Sequence, residues 1–420
     1  MSTSLSAVEA RRAIEALRAG VPNRDVVRFL EPHQNDIKEK FDALLENLAT
    51  SWGDDSLKPL PGLLLEADFG AGKSHWLEAM RHLALEANFV VSQVVLNKET
   101  PLHDLGKIYR ACVEAAVAPD LSGPALGEIA HHWRSDSAPH YQQFFDFANH
   151  TLGIDPRLAA TLRVFEKHSD EAVLERVLAE WTGNPMLAGD LKFVLREIGD
   201  PVNRISPMVK GQFLTRFEFL GRFFRSAGYN GWIILLDETE MISRYSLRQR
   251  GRAYAHLAQL MGLDKNARAF GVGAVFTITK DYSSQVLRGR KDDLHTIPAR
   301  LETTPDAPYI PAAETGMKAI ERHALDLRPP TKDQVNAIGA RARELYSTAY
   351  NWEAPPSDAG REYSLSTGLR QYLRTWINAW DLRRLYGVEA DIVVEAVQLS
   401  YEEDTDLQRE KRDDEPEIAL

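Results

Sequence analysis

The 420-residue chain has one cysteine, Cys112, which excludes an internal disulfide and any cysteine-based zinc cluster. No apolar run approaches the roughly 18 residues that a membrane span needs, so no transmembrane segment is expected. The opening Met1-Ser2-Thr3-Ser4-Leu5-Ser6 has neither a basic segment nor a long apolar one; no secretory signal is expected, and the chain reads as cytoplasmic. An excess of basic residues is missing too. The formal net charge of −11 argues against a surface that coats nucleic acid non-specifically, although a local basic groove is compatible with it. The rest is ordinary. With 44% hydrophobic and 26% charged residues, the chain suits a globular protein long enough for two or three domains.

One stretch organises the sequence. The apolar run Gly62-Leu63-Leu64-Leu65 leads through Glu66-Ala67-Asp68-Phe69 into Gly70-Ala71-Gly72-Lys73-Ser74-His75, and a helical pattern begins at Trp76. Strand, glycine-containing turn and helix are the order of a phosphate-binding P-loop, where successive backbone N–H groups and a helix N-terminus face an anion. Gly70 and Gly72 permit close approach of the backbone. Lys73 can reach the β- and γ-phosphates of a nucleotide, and the Ser74 hydroxyl can hold Mg²⁺. Asp68, Phe69, Ala71 and His75 complete the expected binding stretch. Ala67 stands where the strict pattern has glycine, so the reading needs a second motif.

Gly231-Trp232-Ile233-Ile234-Leu235-Leu236-Asp237-Glu238 supplies it. Four aliphatic residues in a row suit a buried parallel strand, apolar on both faces. The strand ends in two carboxylates, where such sheets place their chemistry. Asp237 would bind Mg²⁺, and Glu238 would orient and polarise an attacking water. An Asp-Glu pair after an apolar run also reads as a helix cap with a first-turn acid. Lys73-Ser74 upstream favours the ATP site.

The remaining chain is mostly helical. Helices are expected over 6–20 and 33–50, the latter with Ile37, Phe41, Leu44, Leu45 and Leu48 on one face. A helix over 74–87 precedes a β-branched strand at 89–97. From 103 to 226 the pattern is almost wholly helical, and about 115–205 reads as an insertion packed beside the sheet. Its aromatics Trp133, Tyr141, Phe144, Phe145, Phe147 and Trp181 read as core. A strand at 269–279 follows, then helical turns and an extended Pro-rich loop. The expected division is an N-terminal helical segment (1–50), a P-loop ATPase domain (51–311), a C-terminal helical domain (312–401, including a helix at 388–401) and an acidic tail (402–420).

Further positions carry candidate roles. Thr279 ends the strand after the acidic one, where a hydroxyl could contact the γ-phosphate or its water; it also reads as a simple cap. Arg300, at an expected strand edge, suits an arginine finger that completes a neighbouring subunit's site, with Arg288 and Arg290 as competitors. Arg370, in the first turn of a late helix, could fold back onto the nucleotide. Asn23-Arg24 could flank an adenine.

Ala67-Asp68-Phe69-Gly70-Ala71-Gly72-Lys73-Ser74-His75, Val94-Val95-Leu96 with Leu102-His103-Asp104, and Leu235-Leu236-Asp237-Glu238 resemble the ATP-binding proteins of BREX phage-defence systems, in particular the BrxD-like type. Arg11-Arg12-Ala13-Ile14-Glu15-Ala16-Leu17-Arg18-Ala19-Gly20-Val21-Pro22 is similar as well. The order of P-loop, acidic strand, Thr279, Arg300 and Gly368-Leu369-Arg370 also resembles AAA+ ATPases of the origin-recognition and helicase-loader branch. The resemblance implies an α/β, AAA+-like P-loop NTPase fold: a parallel sheet flanked by helices, with a helical insertion and a C-terminal helical domain. It makes Thr279 a sensor-one residue, Arg300 the finger and Arg370 a sensor-two arginine. ATP and Mg²⁺ are the implied cofactors. A homo-oligomer and other defence proteins, such as a helicase or methyltransferase, are the implied partners. The insertion is longer than in ordinary AAA+ modules, and little chain follows residue 387 to form a winged helix, so DNA contact is expected through partners. The competing reading is a nucleotide-gated switch or scaffold with little turnover.

Overall fold

A computed structural model describes residues 6–19, 23–30, 34–51, 60–68, 71–150, 154–202, 205, 213–264, 269–356 and 369–388. Its elements run α1 (Ala7–Ala19), α2 (Arg24–Phe29), α3 (Asn35–Thr50), β1 (Leu63–Ala67), α4 (Lys73–Glu86), β2 (Val90–Val95), α5 (Leu105–Glu114) and β3 (Ala116–Val117). Five helices follow: α6 (Ala125–His132), α7 (Tyr141–His150), α8 (Pro156–Lys167), α9 (Glu171–Trp181) and α10 (Ala188–Glu197). Then come α11 (Phe213–Ser226), β4 (Trp232–Asp237), α12 (Leu247–Leu260), β5 (Val272–Thr279), α13 (Asp293–Leu301), α14 (Ile310–Arg322), β6 (Leu325–Asp326), α15 (Lys332–Tyr350) and α16 (Leu369–Tyr386).

The six strands form one sheet in the order β3-β2-β4-β5-β1-β6, and only β3 runs antiparallel to its neighbour. β4 and β5 are buried along their whole length, as a strand covered on both faces must be. One face carries α3 and α4, whose Phe41, Leu44, Leu77 and Met80 pack on Leu65, Ile233, Leu235 and Val275. Ile37, Phe41, Leu44, Leu45 and Leu48 are the buried residues of α3, the stripe its periodicity predicts. The other face is covered by α5, α11 and α12, and α6–α10 extend this core outward. There Trp133, Phe144, Phe147 and Trp181 are buried, and Phe144 and Trp181 meet Phe219 at ring separations of 5.2 Å, which fits their reading as core. Cys112 is buried as well, and burial pushes its thiol pKa up.

A third cluster joins the ends of the described chain. Ala10, Ala13, Ile14 and Leu17 of α1, with Val26 of α2, pack on Val335, Ile338 and Tyr346 of α15 and Trp376 of α16. The first two helices therefore share their core with the last two, while α3 packs on the sheet. α14 belongs to the sheet-side core, because Ala313, Met317 and Ile320 are buried there. A side chain at Gly316 would lie 2.1 Å from the carbonyl oxygen of Tyr254, so glycine is what lets α14 approach α12.

Several local expectations change. α2 forms between the two helices expected over 6–20 and 33–50, capped by the Asn23 side chain accepting from the Val26 N–H at 3.0 Å. β3 and β6 are short strands that pair only through distant partners. The region around Arg300 is helical rather than a strand edge in an extended Pro-rich loop. α13 contains Pro298, which costs about 3 kcal/mol in a helix interior. That cost is offset by burial of Ile297 and Leu301 and by Asp293, which is buried and accepts from Arg250 Nε at 3.0 Å and Tyr254 O–H at 2.8 Å. The expected 388–401 helix and the acidic tail lie outside the described residues, apart from Val388. Among the described residues no helix is long and apolar enough to cross a membrane.

Candidate functional site

The site is set by strand order and register. β5 lies between β1 and β4, and the last residues of all three strands emerge at one edge of the sheet. β1 opens there into the glycine turn. Ala71 N–H donates to Asp68 O at 3.2 Å, and Gly72 sits at φ 107°, a left-handed conformation that a residue with a Cβ rarely adopts. α4 begins at once, so its unsatisfied N–H groups face the same edge.

Two motifs distant in sequence meet here. The Ser74 hydroxyl donates to Asp237 Oδ2 at 3.2 Å, across 163 residues of chain. Asp237 also accepts through Oδ1 from the Thr277 hydroxyl and, at 3.0 Å, from the Glu238 N–H. Its carboxylate is therefore held on three sides. Thr277 escaped notice in the sequence; the signal was its place two residues before Thr279, on the same face of β5. Thr279 is buried and is paired in register with Ala67 at the end of β1.

Glu238 has φ 65° and ψ 41°, a left-handed backbone that costs a non-glycine residue on the order of 1–2 kcal/mol. It opens a 3-10 turn over Thr239–Arg244, which brings a third acid, Glu240, back towards α4. Glu240 Oε1 lies 3.5 Å from Lys73 Nζ, an ion pair too long to be a hydrogen bond. Both side chains are more than 90% buried. Lys73 Nζ, Glu240 Oε2 and Thr239 Oγ1 have no hydrogen-bond partner among the described residues. Burial pushes the Glu240 carboxyl up to about 7; Lys73 opposes this, while Glu238 and Asp237 add to it. Glu240 was also missed, although it stands only two residues beyond the acidic pair.

The other predicted residues lie further out. His75 Nε2 meets the Leu30 carbonyl oxygen at 2.7 Å, tying α4 to the end of α2. Asp68 is exposed, and Phe69 and Gly70 lie outside the described residues. Arg300 and Arg370 are exposed on α13 and α16, and neither bonds to Lys73, Ser74, Asp237 or Glu238 among the described residues. Arg288 is engaged by Glu321 at 2.5 Å. No cluster of three His, Cys, Asp or Glu side chains able to hold a metal occurs among the described residues.

Comparisons with curated proteins and with solved structures return no match. One family model does match, over residues 5–141 and 207–363, and its description is "BREX system ATP-binding protein BrxC/D". The matched residues include the glycine turn, the acidic strand and both threonines of β5, and they exceed half of the chain. The chain belongs to the BREX system ATP-binding protein BrxC/D family, which implies nucleotide binding and a role in that defence system.

Proposed function

We propose that the chain is an ATP-hydrolysing AAA+ subunit of a BREX defence assembly, with its nucleotide held between the β1–α4 turn and the end of β4. The observation that carries this reading is the Ser74–Asp237 contact at 3.2 Å, since a metal-dependent triphosphate site needs those two oxygens together. The strand order supports it: one strand separates the turn from the acidic strand at the carboxyl ends of the parallel strands, where open α/β sheets bind ligands.

The residues present fit the implied ligands. Among the described residues Lys73 Nζ is buried without a hydrogen-bond partner, and apart from the adjoining backbone none of them lies within 4 Å of the position a Cβ on Gly72 would take. Ser74 Oγ and Asp237 would hold Mg²⁺, a hard cation that fills the rest of its shell with phosphate oxygens and water. When bound, Mg²⁺ would neutralise charge developing on the phosphate oxygens. Thr277 and the Glu238 N–H orient Asp237, so its position is fixed before any ligand arrives. Lys73 supplies the positive charge at the turn, and the N-terminus of α4 adds its dipole. Glu238 would accept a hydrogen bond from the attacking water, with Thr279 beside it at the end of β5. Arg300, exposed on α13, suits donation to a neighbouring subunit's site. Arg370 would sense the nucleotide from α16, and ATP would order subunits or recruit a DNA-acting partner.

A phosphate-release assay on the full chain tests this. Lys73→Ala should abolish nucleotide binding, and Glu238→Gln should bind ATP but not turn it over. A rate per subunit that climbs with protein concentration, and is lost in Arg300→Ala, supports a finger donated in trans. A flat, near-zero rate favours a nucleotide-gated switch. Normal hydrolysis by Glu238→Gln refutes the assignment of the water-orienting group.

A further inference from the structure

We infer that Glu240 is a counter-charge that holds Lys73 when no nucleotide is bound, so that it sets the affinity and pH dependence of the site without taking part in the chemistry. The inference rests on the ATP-site reading above and goes one residue beyond it.

Geometry carries it. Lys73 is the residue assigned to the phosphates, yet its Nζ lies 3.5 Å from Glu240 Oε1 and donates no hydrogen bond among the described residues. A cation left in that state is neutralised but not coordinated. The Glu240 backbone is pinned: its carbonyl accepts from the Ser243 hydroxyl at 2.7 Å, and Ser243 O in turn accepts from Lys291 Nζ at 2.7 Å. The carboxylate itself is less restrained, because Oε2 has no hydrogen-bond partner among the described residues. Glu240 itself stands among acids, since the charges of Glu238 and Asp237 act on it against that of Lys73. A triphosphate entering this edge adds further negative charge and competes with Glu240 for Lys73. Glu240 must then lose its partner or take up a proton from the buffer. Its carboxyl, already raised to about 7 by burial, is placed for the latter.

The sign follows. As the pH rises through about 7 Glu240 gains its charge and retains Lys73; as the pH falls Glu240 is neutralised and releases it. Nucleotide should therefore bind wild type less tightly at pH 8 than it binds a chain lacking the charge, and the difference should close towards pH 6.

The test is equilibrium binding of ATP, with EDTA and separately with Mg²⁺, to full-length wild type, Glu240→Gln and Lys73→Ala. Melting temperatures establish that each is folded. Glu240→Gln should bind about tenfold more tightly at pH 8, the equivalent of one pKa unit, and no more than about twofold more tightly at pH 6. Titration of the nucleotide cancels in the ratio of the two proteins. Should Glu240→Gln not fold, Glu240→Asp, whose shorter side chain draws the charge back from Lys73, must show a gain of the same sign. Equal or weaker binding by a folded variant, or a gain independent of pH, overturns the inference while leaving the ATP site intact. If neither wild type nor Glu240→Gln binds nucleotide above the Lys73→Ala level, the ATP-site reading fails and this inference falls with it.

Discussion

Glu180 offers the sharpest stability prediction. It is fully buried on α9 and accepts from Arg157 Nε at 3.0 Å, Arg216 Nη2 at 2.9 Å and the Met186 N–H at 2.9 Å. Arg216 also donates to Asp155 Oδ2 at 2.7 Å, so two guanidiniums and two carboxylates balance in a buried site joining α8, α9 and α11. Glu180→Gln keeps the shape but takes the carboxylate away from Arg157 and leaves Arg216 with that of Asp155. Breaking a buried pair in this way costs about 3–5 kcal/mol, whereas an exposed pair is worth at most about 1. Burial pushes the Glu180 carboxyl up, but the two guanidiniums outweigh it and leave it below its ordinary value of 4.5. The folded-state pKa is depressed, so the stabilisation is present above pH 4.5 and is lost as the pH falls through the lower folded value. Denaturant unfolding followed by tryptophan fluorescence reads this directly, since Trp181 is the adjacent residue. A loss below about 1 kcal/mol at pH 7, or one unchanged well below pH 4.5, would refute the reasoning. The double variant Arg157→Met/Glu180→Leu should cost less than the sum of its two single changes.

Two further predictions concern the frame around the site. Gly316→Ala should destabilise the protein by about 1–3 kcal/mol, because the new methyl meets the Tyr254 backbone rather than a movable side-chain end; an unchanged melting temperature would disprove this. Burial holds His103 near a pKa of about 4, and its ring sits edge-on to Tyr245 at 4.7 Å. A histidine lowered from 6.5 favours the folded state fully above that value and loses this contribution as pH drops towards 4. His103→Phe should flatten the stability profile between those limits, and a profile identical to wild type would exclude His103 as its source.

What could be read in advance followed local periodicity. The α3 stripe and the β4 run are legible because 3.6-residue and continuous apolar patterns are short-range signals. Phe213, Phe217, Leu220 and Phe224 of α11, spaced three or four residues apart, are buried in the same way. The positions missed depend on register and distance. Thr277 reaches Asp237 because β4 and β5 pair with Leu236 opposite Phe276, and Glu240 reaches Lys73 because Glu238 reverses the backbone. Nothing within a few residues of either announces such a partner. α13 was obscured by Pro298, whose local penalty is overridden by burial on α12. β6 is too short to show alternation and exists because β1 offers it an edge.

The packing of α1 and α2 has a practical consequence for anyone wishing to trim the protein. A chain begun at residue 34 would keep the whole sheet, yet it would strand Val335, Ile338 and Trp376 in water and deprive His75 of the Leu30 carbonyl beside the glycine turn. The shortest version that behaves well in solution should therefore retain both extremities of the described fold, because each is the other's lid.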